Sequence, residues 1–180
     1  MDYEFFMEQA LGQARNAFDR GQFPVGCVIV QDDRVIASGA RSGTSGKLSF
    51  FSEIDHAEIR AIKALESSDA RFIPERAVLF CTMEPCLMCF AAIILAGIRT
   101  LVFAYEDVMG GGTGLDRAHL SPLYRDAQIT IVPHVLRKKS LDLFHDFFNK
   151  DANLYWKDSF LESYTLDQWR ESQDIDGDVI

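Results

Sequence analysis

The chain has 180 residues, 48% of them hydrophobic, which suits one globular domain with a proper core and leaves room for an appended tail. Its formal net charge of −9 sets up a field that repels polyanions unless a local basic patch overrides it. No apolar run reaches the roughly 18 residues of a membrane span, and the acidic start Met1-Asp2-Tyr3-Glu4 is unlike a basic targeting signal, so a cytoplasmic protein without membrane contact is expected.

Apolar residues at Phe6, Met7, Ala10, Leu11, Ala14, Ala17 and Phe18 fall on one face of a helix over Glu4 to Arg20. Gly21 stops it and Pro24 marks a turn. Val25 to Val30 and Arg34 to Gly39 read as two strands joined by the polar turn Gln31-Asp32-Asp33. Arg41 to Asp55 is rich in Gly, Ser and Thr and reads as a loop. A helix over His56 to Leu65 follows, with Asp55 placed to cap it. Ala77 to Thr82 is a short apolar strand. Pro85 suits the first turn of a helix that ends near Ala96, with Gly97 as its stop.

Thr100 to Tyr105 is the next strand. Gly110-Gly111-Gly112 predicts a flexible or tightly turned loop. Ile129 to Val132 is a short strand, and Leu141, Leu143, Phe144, Phe147 and Phe148 form an apolar helical face. The order α-β-β-α-β-α-β-loop-β-α implies an α/β fold with helices on both faces of a mixed sheet. Residues 1–150 form the domain, 151–173 an aromatic segment that packs on it or caps the site, and 174–180 an acidic end expected to be disordered.

Cys27 and Cys81 lie inside apolar runs and read as reduced, buried side chains. Cys86 and Cys89 differ. They form a Cys-x-x-Cys pair at a predicted helix start, where residues three apart share a face and the helix end favours thiolate. Thirty residues earlier, His56-Ala57-Glu58 opens another predicted helix. One imidazole and two thiolates suit one zinc ion per chain and leave a fourth position for water, whose pKa the ion lowers toward neutrality. Glu58, two residues from His56, is placed to shuttle protons without binding the metal. A closed, purely structural zinc site would need a fourth ligand such as His119, His134 or His145. These three otherwise read as surface or satisfied core histidines.

His-x-Glu with a later Pro-Cys-x-x-Cys is the signature of zinc nucleobase deaminases. From about Phe5 to Phe148 the sequence resembles the cytidine deaminase superfamily, and within it the bacterial tRNA adenosine deaminases. The resemblance rests on Phe23-Pro24-Val25-Gly26, on His56-Ala57-Glu58-Ile59, on Thr82-Met83-Glu84-Pro85-Cys86-Leu87-Met88-Cys89 and on Gly110-Gly111-Gly112-Thr113-Gly114-Leu115. It implies a three-layer α/β/α sandwich with a five-stranded sheet, zinc on His56, Cys86 and Cys89, Glu58 as the catalytic proton shuttle, and a homodimer. Substrate contacts are expected from Phe23, Arg41, Ala57, Pro85 and Trp156.

Several features depart from that pattern. Arg41 stands where those enzymes usually carry an Asn that contacts the base or sugar. The following loop, with Phe50 and Phe51, looks longer. Val108-Met109 replaces a basic residue before the glycine-rich loop, and the tail is acidic where those of the tRNA enzymes are commonly basic. Tyr155, Trp156 and Phe160 are similar to the aromatic closing segment of fungal-type cytosine deaminases and would form a lid that excludes water, or else simply pack the tail. These departures favour hydrolytic deamination of a free base or nucleoside. The alternatives are adenosine deamination in a tRNA anticodon, for which Arg137-Lys138-Lys139 is the one compact basic cluster, and a non-catalytic zinc subunit. Glu58 argues against the last.

Overall fold

Five strands form one mixed sheet in the order β2-β1-β3-β4-β5. They are seen in a computed structural model that describes residues 1–45, 51–150 and 153–177. β1 (Gly26–Gln31) lies antiparallel between β2 (Arg34–Ala40) and β3 (Ala77–Met83), whereas β4 (Thr100–Tyr105) and β5 (Thr130–Val132) continue parallel to β3. The turn from β1 to β2 is only Asp32-Asp33, both at positive φ, so the hairpin needs no loop. β3 is buried along its whole length, as expected of a central strand covered on both faces.

Strand alternation divides the core in two. Val28, Val30, Val78, Phe80, Val102 and Ala104 face α1 (Tyr3–Asp19), which buries Phe6, Met7, Ala10 and Leu11 against them. Cys27, Ile29, Leu79, Cys81 and Leu101 face the other way, toward α2 (Ala57–Glu66) and α3 (Leu87–Leu95). Gly39 is glycine for this packing, because a Cβ there would run into the backbone of α2. Cys27 and Cys81 are buried, free, and paired across β1 and β3.

Beyond β4, α4 (Pro122–Arg125) is a single turn, and α5 (Arg137–Phe148) packs on β4 and α1. A final helix, α6 (Phe160–Gly177), lies against α5. α6 runs to Gly177, into the stretch expected to be disordered, and 178–180 lie outside the described residues. Leu161, Tyr164 and Trp169 pack α6 on the core, and polar contacts add to them. Arg137 is ion-paired to Glu106 and donates to Gln168 Oε1 at 2.7 Å, while Tyr164 donates to Glu106 at 2.7 Å. Tyr105 and Thr165 share a hydrogen bond of 3.0 Å, and the His145 ring stacks on Trp169 at 3.8 Å. Burial alone would raise the Glu106 carboxyl, but the hydrogen bonds from Arg137 and Tyr164 outweigh it and hold it below its ordinary value.

Two expected helix starts move. Asp55 does not cap α2. Its carboxylate takes a hydrogen bond from Arg60 Nη1 at 2.8 Å, and His56 itself holds the N-cap position. Likewise Cys86, not Pro85, directly precedes α3. No helix among the described residues is long and apolar enough to cross a membrane.

Candidate active site and metal centre

The fold places the ends of β3 and β4 beside the starts of α2 and α3. Ligand sites in α/β sheets gather there, at the carboxyl ends of parallel strands. His56 and Cys86 sit at the N-caps of α2 and α3, and Cys89 lies one turn into α3. His56 Nδ1 is 3.6 Å from Cys86 Sγ and 3.4 Å from Cys89 Sγ, and the three ligand atoms lie within 4.8 Å of one another. A tetrahedral zinc with bonds of about 2.3 Å to sulfur and 2.0–2.1 Å to nitrogen spans N···S edges of about 3.5 Å, so the donor set fits the ion.

The imidazole is oriented for that role. His56 Nε2 lies 2.8 Å from the Glu53 carbonyl; donation there leaves Nδ1 as the ligand atom. The hydrogen bond from Cys89 outweighs partial burial and pulls the Cys86 thiol down to about 4, while the same contact and burial push Cys89 up. Cys86 and Cys89 would hold a dication as thiolates, and its binding would release the remaining proton. Among the described residues the cluster contains these three ligands. His119 is exposed, His134 faces Glu106 at 3.5 Å and His145 stacks on Trp169, so none of them is the fourth ligand of a closed site.

The glycine-rich loop supports this turn rather than standing free. Gly111 bridges Cys86, and Gly112 donates its N–H to the Pro85 carbonyl at 2.9 Å. A Cβ on Gly112 would meet the Leu87 backbone at 2.8 Å, so close approach explains the glycine. Glu84 pins the loop by accepting from the Thr113 amide at 3.1 Å and the Asp107 amide at 3.2 Å.

His56, Glu58 and Cys86 open into a cavity of about 190 Å³, below the roughly 300–1,000 Å³ typical for drug-sized ligands. Glu58 is 3% exposed, and burial raises its carboxyl. Its Oε2 is buried without a hydrogen-bond partner in the protein. Of the expected substrate contacts, Phe23, Arg41 and Trp156 line the cavity, whereas Ala57 and Pro85 are buried and do not. The register explains the first two, because pairing of Gly26 with Ala40 brings the residues before β1 beside those after β2. The Arg41 amide donates to the Val25 carbonyl at 2.9 Å, and the Phe23 amide to Thr44 Oγ1 at 2.8 Å.

Tyr155, Trp156 and Leu161 reach the cavity from the C-terminal segment, but Phe160 is 63% exposed and stands outside it. Phe51 is likewise exposed, and Phe50 lies outside the described residues. Sequence reasoning missed Glu53, Asp107 and Met109 as cavity residues, and Glu84 as a cavity residue inside a quoted motif. Their signal was position, since Glu84 and Asp107 follow the ends of β3 and β4.

The sequence profile of the cytidine and deoxycytidylate deaminase zinc-binding region matches residues 1–105. The chain belongs to this family. His56, Cys86 and Cys89 form the candidate zinc site of this zinc-binding family, whose members are hydrolytic deaminases acting on C–N bonds. A tRNA-specific adenosine deaminase of Aquifex aeolicus is 34% identical over 113 residues, covering 62% of this chain and 72% of that one. A protein of the same name from Agrobacterium fabrum is 44% identical over 108 residues, covering 59% and 67%. A solved structure from work on A-to-I editing by wobble-position tRNA deaminases superposes with a TM-score of 0.59 at 32% identity, covering 77% of this chain and 98% of that one. A guanine deaminase from Nitrosomonas europaea superposes at 0.62, covering 81% and 84%; at 23% identity it shows the fold alone. The three-layer sandwich read from the sequence is thus the family's architecture.

Proposed function

We propose that the protein replaces the exocyclic amine of a nucleobase by oxygen from water and releases ammonia. The observation that carries this reading is a buried carboxylate, Glu58, opening into the same cavity as the ligands His56 and Cys86. A zinc ion there supplies Lewis acidity that makes water a nucleophile near neutral pH. Glu58 takes the proton from the attacking water and delivers protons to the ring nitrogen and the departing amine. Burial suits it to both tasks, because a raised proton affinity lets one carboxyl act as base and then as acid. Phe23, Tyr155 and Trp156 give a flat ring apolar surfaces to stack on and exclude bulk water.

Two substrates fit this chemistry. The named relatives support adenosine within tRNA. The chain's own cavity supports a free base or nucleoside. Its wall includes Tyr155 and Trp156 from the C-terminal segment, and Trp156 holds φ at 57°, a conformation a bulky residue adopts only when its surroundings impose it. The basic cluster expected to meet RNA is also engaged within the protein: Arg137 with Glu106, Lys138 with Asp142 and Lys139 with Glu8.

An ammonia-release assay over guanine, cytosine, adenine, their nucleosides and a tRNA anticodon stem-loop tests both readings; no ammonia from any of them overturns the reaction. Trp156→Ala is expected to raise KM for a small base about 10-fold, in line with the stacking that one aromatic side chain contributes per base. Unchanged KM returns the tail to a packing role. A point variant is the cleaner test, because truncation before Tyr155 also removes α6 with its buried Leu161 and Thr165. We also propose a homodimer, with α3 exposing Leu87, Met88 and Leu95 as apolar surface to cover; a sedimentation mass of one chain would refute it.

A further inference from the structure

Arg41 takes no part in the proton chemistry, yet it is the most unusual side chain of the cavity. It is 2% exposed. Its Nη2 lies 3.4 Å from both Glu53 Oε2 and Tyr155 Oη, and the tyrosine hydroxyl donates to the same carboxylate at 2.8 Å. These groups hold one edge of the guanidinium from the loop after β2 and from the C-terminal segment together. The other nitrogen, Nη1, is buried and has no hydrogen-bond partner in the protein. A guanidinium cannot shed its proton to relieve that deficit, and an unpaired buried donor is costly. A ligand acceptor in the cavity relieves it.

We propose that Arg41 determines specificity by reading an acceptor-only edge of the substrate, the oxo group and N7 of an aminopurine such as guanine, an edge remote from the amine to be removed. This rests on the deaminase reading above. An arginine has five donors and no acceptor, so it cannot accept from an exocyclic amine. An oxo group beside a ring nitrogen takes two parallel N–H bonds, as guanine does from arginine in nucleic-acid recognition. Asparagine, with one donor and one acceptor, instead matches edges that mix the two, as in adenine. Adenine has no oxo group, and the amine beside its ring acceptors is the one to be removed. The substrate edge is also neutral. Arg41 shares the cavity wall with Glu53, Glu58, Glu84 and Asp107, so a phosphate would meet more negative charge than positive.

The test is calorimetric titration of the full-length, zinc-loaded protein with hypoxanthine and with purine, which differ by the oxo group and its ring proton. Neither carries an exocyclic amine, so binding is read without turnover. Hypoxanthine is expected to bind about 10–100-fold more tightly, the discrimination of one good bidentate pair, and Arg41→Gln is expected to abolish that preference. Equal affinities in the wild type overturn the proposal, and this comparison needs no variant to fold. Inorganic phosphate binding more tightly than hypoxanthine also overturns it, in favour of an anion subsite. Tyr155→Phe, which loosens the bracket on Nη2, is expected to narrow the preference without abolishing it. The two readings fail separately. Selective binding with no ammonia from any base sinks the enzymatic reading and leaves Arg41 in its role. Guanine turnover with KM unchanged in Arg41→Gln sinks the role of Arg41 and leaves the enzyme.

Discussion

Replacing Glu58 by glutamine is expected to leave zinc bound and to reduce turnover by about 10²–10⁴-fold, the range that positioned acid–base groups contribute. The substitution conserves shape in a place where shape matters, since the side chain is 3% exposed and surrounded by Ala57, Cys81 and the metal ligands. It removes only the capacity to carry a proton. Glutamine also keeps an oxygen where Glu58 Oε2 stands without a protein partner, so packing around the cavity should survive. Metal analysis, a thermal melt and ammonia release read the three consequences separately. Turnover within a few-fold of wild type would remove Glu58 from the mechanism, and loss of zinc would make it a structural residue instead.

Cys86→Ala is expected to abolish both zinc retention and activity, and to lower the melting temperature. His56 and Cys86 begin two different helices, so the ion ties α2 to α3, and removing one thiolate unties them. Zinc at 100 times its dissociation constant stabilises the fold by about 2.7 kcal/mol, which corresponds to roughly 5–10 °C in a chain of this size. A chelator should shift the wild-type melt by a similar amount and leave Cys86→Ala unchanged. Full metal occupancy in the variant would show that Cys86 is not a ligand. Cys27→Ala serves as the control, since that cysteine is buried in the sheet and absent from the metal cluster.

Local features were legible in the sequence. The His56-Ala57-Glu58 and Pro85-Cys86-Leu87-Met88-Cys89 patterns act within one helical turn, and the structure joins them because the connection through β3 returns α3 to the side of α2. β4 has the bounds read from the sequence, Thr100–Tyr105. The strands of the sheet each carry a continuous or alternating signal that survives tertiary packing. The parts that were not legible depend on partners far away in the chain. Asp55 looked like a helix cap, but an arginine five residues later competes for the same carboxylate. α6 was read as an aromatic tail because, among its described side chains, only Leu161 and Thr165 are fully buried, and hydrogen bonds to Glu106, Arg137 and Tyr105 supply part of its hold on the domain. Leu161, Tyr164 and Trp169 do stand at helical spacing and pack on the core, but the stripe is thin and set among polar residues. Glu53 and Asp107 reach the cavity from loops 54 residues apart in the chain, a meeting that no spacing encodes.

The dependence of the cavity on Tyr155 and Leu161 sets an order of events during synthesis. The metal-binding turns leave the ribosome well before the residues that cover them. At about 5–20 residues per second, several seconds pass with the zinc ligands emerged and the binding chamber without its roof. A chain in that interval has His56, Cys86 and Cys89 outside the ribosome while the part of the cavity wall that Tyr155 and Leu161 supply has yet to be made.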